Sequence, residues 1–329
     1  MGPGACRRGS GGVFVAALLF GTAGCGAAQA PPPALQDSVR AQLDALPAKS
    51  SIYAHNLPGG QTLAVRADEP MNTLSVIKIP VMVLAFRDAE AGRLELDRRY
   101  TIRPEDLRRG SGLLQTFAPG LQPTYRDIVT QMIVTSDNTA TDIMIRTVGL
   151  ERVNRMLDSL GYKQTRLRRT TGDLFRGVWV RADPRNASMS DRDVFEKGFP
   201  NDSLAERRSF AFEGDSAEWL GRSTARETVR LLEQIYRGEL ASKEHSQEMV
   251  RILGDQFYSS RLPRRIEFRA GVAHKTGDWP PYAGNDVGLL FYRGGPTVVA
   301  VYTNQNRGSF YTLEETIGRI AEELIDRWK

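Results

Sequence analysis

The chain of 329 residues is short of cysteine and histidine. Its two cysteines, Cys6 and Cys25, lie near the N-terminus, upstream of the folded region, so no internal disulfide and no cysteine nucleophile are expected there. The three histidines, His55, His245 and His274, stand in separate contexts without ligand spacing, which argues against a metal centre. No G-x-S-x-G stretch accompanies them, so a Ser-His-Asp triad is set aside, and neither a metal nor an organic cofactor is expected. Basic residues occur as scattered pairs, such as Arg98-Arg99, Arg108-Arg109 and Arg168-Arg169, without the dense stripe or interleaved aromatics that nucleic acid requires. The net charge of +5 falls to about +3 once Arg7 and Arg8 are set aside, and no nucleic-acid partner is expected.

Long apolar runs are lacking too. Val13 to Phe20 is too short to span a bilayer, but with Arg7 and Arg8 before it and small residues after it, it has the form of an export signal over residues 1–30. Thr22-Ala23-Gly24-Cys25 has the form of a lipobox, which would make Cys25 a lipid-anchored first residue. Ala28-Gln29-Ala30 is a competing small-x-small cut, disfavoured by Pro31. Either way the protein is expected to be exported to the periplasm or cell envelope, with Pro31-Pro32-Pro33 as a tether.

What is present is a globular composition, 41% apolar and 25% charged, enough to bury a full core. Val39, Leu43 and Leu46 predict a helix over Gln36 to Leu46. Ser51 to Leu57 and Thr62 to Asp68, separated by Pro58-Gly59-Gly60, predict a hairpin. Arg269 to Lys275, Asp286 to Arg293 and Thr297 to Thr303 predict three further strands, and Leu313 to Trp328 a final helix. Between the strand groups, helices are predicted over Val76 to Ala91, Tyr125 to Val134, Asn138 to Val148, Glu151 to Leu160, Ala225 to Tyr236 and Lys243 to Leu253. The expected fold is α/β (α+β): a five-stranded antiparallel sheet flanked by helices, with an all-helical subdomain. The sheet part would comprise residues 35–70 and 264–329, and the helical part 71–263, with a loop insertion at about 183–221.

Three short segments carry chemistry. Ser75-Val76-Ile77-Lys78 sets a hydroxyl and an amine three residues apart at a helix start, on one face. Such a lysine, with a lowered pKa, is able to take the serine proton and so activate a poor nucleophile. Ser136-Asp137-Asn138 falls between two predicted helices, where a hydroxyl is placed to relay a proton and an amide to bind substrate. Lys275-Thr276-Gly277 ends a predicted strand, where an ammonium is placed to hold a carboxylate and a glycine lets backbone approach. Alone, each reads as an ordinary cap, turn or strand end.

In this order and these contexts the three resemble the S-x-x-K, S-D-N and K-T-G set of class A β-lactamases and penicillin-binding proteins. The similarity extends over Ser75 to Val83, Tyr125 to Thr141, Gly161 to Arg169 and Ala273 to Asn304, within residues 35 to 329. It implies Ser75 as nucleophile, Lys78 as general base, the Ser75 and Asp278 N–H groups as oxyanion hole, and Ser136, supported by Lys275, as proton donor to the departing nitrogen. It further implies Asn138, Thr276 and Gly277 as substrate contacts, with Arg261 supplementing the carboxylate site. The implied partner is a β-lactam or a peptidoglycan-derived peptide, acted on by a monomer. A D,D-peptidase and a non-turnover binding protein stand as alternatives.

One part departs from the family pattern. Class A enzymes carry a deacylating glutamate in an E-x-x-L-N stretch soon after a T-R-L-x-R segment. Here Thr165-Arg166-Leu167-Arg168-Arg169 leads into Thr170-Thr171-Gly172-Asp173-Leu174-Phe175. Thr171 falls in the glutamate register and Phe175 in the asparagine register, and neither is able to deprotonate water. Asp173, Glu206, Glu213 or Glu218 would have to fold back over Ser75; otherwise Lys78 serves both steps, with fast acylation and slow release.

Overall fold

The computed structural model describes residues 1–2, 33–267 and 271–328. The export signal, Cys6, Cys25, both cleavage sites and the expected strand start at Arg269 lie outside the described residues.

The chain opens with helix α1 (Pro33–Asp44), followed by strands β1 (Lys49–Asn56) and β2 (Thr62–Val65), which pair antiparallel across the Pro58-Gly59-Gly60 turn. After the helical region, it returns as β6 (Val272–Trp279), β7 (Ala283–Leu290) and β8 (Thr297–Asn304), giving one five-stranded antiparallel sheet in the order β2-β1-β8-β7-β6. The final helix α11 spans Phe310–Arg327. Side chains alternate across β8 with the period of two that a pleated strand imposes. Val299 and Val301 enter a core with Leu35, Val39 and Leu43 of α1 and Leu313, Ile317 and Leu324 of α11. Val298, Ala300 and Tyr302 face the opposite core, shared with the helical region. Each such aliphatic side chain contributes roughly 1.5–3 kcal/mol by leaving water.

The helical region lies between β2 and β6. Its helices are α2 (Lys78–Glu90), α3 (Tyr125–Val134), α4 (Asn138–Val148), α5 (Leu150–Ser159), α6 (Thr171–Ala182), α7 (Asp191–Lys197), α8 (Ala205–Gly214), α9 (Ala225–Tyr236) and α10 (Lys243–Gly254). Three short strands, β3 (Met71–Asn72), β4 (Arg166–Leu167) and β5 (Gly221–Ser223), form a separate small sheet in the order β3-β5-β4. Helix α2 is buried without a break from Lys78 to Phe86, so it runs through the core and carries Lys78 into dry surroundings. Pro80 falls in its first turn, where a backbone donor has no helical acceptor.

Several expectations are corrected. The helix expected from Val76 begins as a 3₁₀ turn, Leu74–Ile77, and becomes α-helical at Lys78. Lys275-Thr276-Gly277 sits in the middle of β6, which continues to Trp279, because pairing with β7 runs on through Trp279 and Ala283. The expected long loop at 183–221 contains a 3₁₀ turn and helices α7 and α8, and α6 was not anticipated. Capping boxes explain two of these: Thr170 with Asp173 starts α6, and Ser190 with Asp193 starts α7.

Candidate active site

Ser75 sits in the 3₁₀ turn immediately before α2. It follows Leu74, whose φ of 48° places a branched side chain in the sparsely populated left-handed region. Ser136 occupies the turn between α3 and α4 with φ 54°, a second strained residue, and the next residue, Asp137, caps α4 by accepting from the Ala140 N–H at 2.8 Å.

The buried Lys78 Nζ donates to the Ser136 carbonyl at 2.7 Å, to Asn138 Oδ1 at 2.9 Å and to Ser136 Oγ at 3.3 Å. Lys275, reaching in from β6, donates to the same Ser136 Oγ at 3.0 Å and to the Thr276 carbonyl at 2.8 Å. Two amines therefore share one hydroxyl in a site without exposure to water. Burial is the main cause that pulls the Lys78 ammonium well below the ordinary lysine range, helped by the positive charge of Lys275 and opposed by Asp137 and Asp142. Burial likewise brings Lys275 down to about 7, against the attraction of Asp278 and Asp286. A neutral amine at neutral pH is a competent proton acceptor, which an exposed lysine is not.

Ser75, half-buried, lines a cavity of about 920 Å³ together with Asn138 and Asp278. Gly277 permits the approach of β6 to the serine turn: a Cβ there would stand 2.5 Å from the Thr73 carbonyl oxygen. The Thr276 Oγ1 beside Lys275 is buried and has no hydrogen-bond partner among the described residues. Asn138 is committed at both ends, since its Nδ2 donates to the Arg109 carbonyl at 2.9 Å while its oxygen accepts from Lys78. Arg261 lines the cavity but is buried and ion-paired with Asp278 at 2.6 Å and Glu314 at 3.6 Å, so its charge is already balanced. His274 shares a hydrogen bond with Asp286, Nδ1 to Oδ1 at 2.8 Å.

The departure seen in the sequence has a structural content. Thr171 opens α6, and both its N–H and its Oγ1 donate to Asp142 Oδ1 at 2.7 Å. The other oxygen of Asp142 accepts from Arg108 Nε at 2.6 Å and from the Gly172 N–H at 2.9 Å. Phe175 packs edge-on to Phe199, with ring centroids 5.1 Å apart. Of the four acidic residues considered for the glutamate's place, Asp173 caps α6 and pairs with Arg176 at 3.2 Å, and Glu218 pairs with Arg169 at 2.6 Å. Glu213 is buried, accepts from the Gln305 N–H at 2.9 Å and from Asn72 Nδ2 at 3.3 Å, and is pushed up to about 7 by burial. Glu206 lines the cavity, exposed.

Sequence reasoning missed Ser111, whose Oγ donates to the Ser136 carbonyl at 3.0 Å, and Asp142, which supports the α6 start. Asp142 follows Asn138 by four residues on α4, a spacing that places both on one helix face and was a usable signal. Nothing comparable marked α8, whose Ala205–Gly214 sequence shows little apolar periodicity.

Helix α2, the α3–α4 turn and the edge strand β6 thus meet at Ser136 Oγ. The chain belongs to the β-lactamase enzyme family, whose model matches residues 34–328. It is similar to a β-lactamase of Streptomyces albus G, 32% identical over 133 residues, a match covering 39% of this chain and 42% of that protein. It is also similar to β-lactamase L2 of Stenotrophomonas maltophilia, 25% identical over 278 residues, covering 81% of this chain and 78% of the other. The crystal structure of a β-lactamase from Sphaerobacter thermophilus superimposes with a TM-score of 0.71 at 26% identity, over 90% of this chain and 97% of that one. Among the described residues no helix is long and apolar enough to cross a membrane.

Proposed function

We propose that this protein is a serine hydrolase that opens β-lactam amides through an acyl-enzyme on Ser75. The observation that carries the proposal is the shared Ser136 Oγ, 3.3 Å from Lys78 Nζ and 3.0 Å from Lys275 Nζ, beside the cavity that Ser75 lines. In this reading neutral Lys78 takes the Ser75 proton as Oγ adds to the carbonyl carbon, and the N–H groups of Ser75 and Asp278 hold the oxygen as it gains charge. The C–N bond then breaks, and the proton passes through Ser136 to the departing nitrogen while Lys275 supports it. Thr276, with its unpartnered hydroxyl, and Lys275 bind the substrate carboxylate.

A second reading, a D,D-peptidase or a protein that is acylated without turnover, is favoured by one observation. The position of the family's deacylating glutamate is held by Thr171, which is locked onto Asp142. With no carboxylate there, release of the acyl group falls to Lys78 unless another acid reaches the site. In either reading the protein is exported to the periplasm or cell envelope, anchored at Cys25 where the lipobox is processed and free of an anchor where the Ala28-Gln29-Ala30 cut is used, and works as a monomer without nucleic acid.

Intact-protein mass spectrometry during incubation with benzylpenicillin separates these readings. Hydrolysis with only a transient adduct supports the β-lactamase, and an adduct lasting for hours supports the second reading. The adduct is expected to vanish in Ser75→Ala; an adduct that survives this change defeats the assignment of the nucleophile.

A further inference from the structure

Asn72 of β3 stands two residues before the left-handed Leu74, and it is buried with all of its polar atoms engaged. Its N–H donates to Asn304 Oδ1 at 2.9 Å, and its carbonyl accepts from Asn285 Nδ2 at 2.9 Å and from Asn304 Nδ2 at 3.2 Å. Its side chain bridges two segments. Oδ1 accepts from the Leu74 N–H at 3.2 Å, while Nδ2 donates to Glu213 Oε1 at 3.3 Å and to the Glu213 carbonyl at 3.4 Å. Glu213 belongs to the last turn of α8, is buried too, and with its other oxygen accepts from the Gln305 N–H at 2.9 Å. Gln305 has φ 52°. One carboxyl group therefore holds, directly or through one amide, two of the four non-glycine residues with positive φ among the described residues. Such a conformation is unfavourable and persists only where the surroundings over-determine it.

The orientation of the Asn72 amide is what makes the contact at Leu74 possible. An amide has an acceptor at one end and donors at the other. Turned over, it would set oxygen against oxygen at Glu213 and N–H against N–H at Leu74, leaving buried groups unpaired. Helix α8 also lines the cavity beside Ser75 through Ser209 and Phe212, and Phe212 stacks on Trp279 of β6 with ring centroids 5.7 Å apart. The same helix thus borders the cavity and grips the serine turn from its buried side.

We infer that Glu213 is a positioning residue for Ser75: by fixing the Asn72 amide it holds Leu74 in the left-handed conformation that presents Ser75 to the cavity, and so ties the nucleophile to the seating of α8. The inference rests on the Ser75 acylation reading for its effect on rate, and on the hydrogen bonds alone for its geometry.

The test exchanges the two groups. Glu213→Gln alone leaves a single acceptor for two N–H donors, and Asn72→Asp alone sets two carboxyl groups against each other. The two changes together restore the chain of bonds with the roles reversed: the new carboxylate accepts from the Leu74 N–H and from the new amide, whose oxygen accepts from the Gln305 N–H. Acylation by benzylpenicillin is followed by mass spectrometry at pH 8, above the value of about 7 to which burial raises Glu213, and resolved into a dissociation constant and a rate at saturation. The saturating rate is expected to fall roughly tenfold in Asn72→Asp and roughly threefold in Glu213→Gln, with the dissociation constant within about twofold, and to return within about twofold of the original in the double variant. Loss of folded protein lowers the amount of adduct and not this rate. If Asn72→Asp alone does not fold, the fall in Glu213→Gln and its recovery in the double variant decide. Losses that multiply in the double variant, or single variants acylated at the original rate, overturn the inference and leave the nucleophile assignment standing. If no penicillin acylates the protein, the hydrolase reading falls, and the Leu74 and Ser75 amide resonances decide the positioning. Shifted in the single variants and restored in the double one, they uphold it; unmoved or unrestored, they overturn it.

Discussion

On one side of the cavity, Lys78, Ser136 and Lys275 stand on a buried helix, a strained turn and an edge strand, and their polar atoms are bound to one another. On the other, α6 to α8 present aromatic rings and paired arginines, and the glutamate register is filled by Thr171. The first side carries the groups to which the proposed reading assigns the attack on a carbonyl. The second has Thr171 in the register of the family's glutamate and offers apolar surface, with the exposed Glu206 at its rim. Under the proposed reading, acylation and deacylation are separable devices: the amines assigned to activating the serine stand in place while the segment in the glutamate register is rebuilt.

The largest effect that sharpens this contrast is expected from Lys78→Ala. Removing the base lowers the acylation rate by roughly a thousandfold, read from adduct formation by mass spectrometry. In the unaltered protein the acylation rate falls as pH drops, because a protonated amine accepts no proton. The acid limb follows protonation of Lys78, which burial holds well below its ordinary range with help from the charge of Lys275, itself brought down to about 7. A rate that does not fall on acidification of the folded protein contradicts the role given to Lys78.

Next comes Thr171→Glu, which restores the family's residue in sequence but not in surroundings. Its carboxylate would be buried against Asp142, whose oxygens are already occupied, and the expected cost is about 2–4 kcal/mol in denaturant unfolding. The lifetime of the acyl-enzyme is expected to stay within about twofold of the original. Rapid turnover by this single variant would show the rebuilt side to be readily reversible.

Glu213→Gln has a smaller effect, on stability. With its carboxyl raised to about 7 in the fold, Glu213 binds its proton more tightly when native. Its contribution is complete at low pH and is lost as pH rises through 7. The stability lost by the unaltered protein between pH 5 and 8 is therefore expected to exceed that lost by Glu213→Gln by about 2–3 kcal/mol, measured by urea unfolding at both values. The smallest effect is expected from Glu206→Gln. This carboxylate is exposed on the cavity rim, and its loss is expected to change the acyl-enzyme lifetime less than about twofold. A lengthening of tenfold or more identifies Glu206 as the replacement base.

Much of the fold was legible because its signals are local. Val39, Leu43 and Leu46 mark α1 by helical spacing, the Pro58-Gly59-Gly60 turn separates β1 from β2, and the helices α3, α4 and α9 begin where capping residues stand. The insertion was read as a loop because α7 and α8 are short and charged, and their order comes from contacts with α6 and β6 and not from their own periodicity.

The sequence by itself determined the order and residue types of the three motifs and the absence of a carboxylate at position 171, since these are facts of adjacency and spacing. Only the tertiary structure decided that Lys78 and Lys275, 197 residues apart in the chain, share one hydroxyl, and that their burial lowers both amines. It also decided that Glu213 joins Asn72 across 141 residues, and that Arg261 spends its charge on Asp278. The reason is physical: proton affinity and electrostatic balance depend on which groups meet away from water, and that meeting is settled by packing between distant segments.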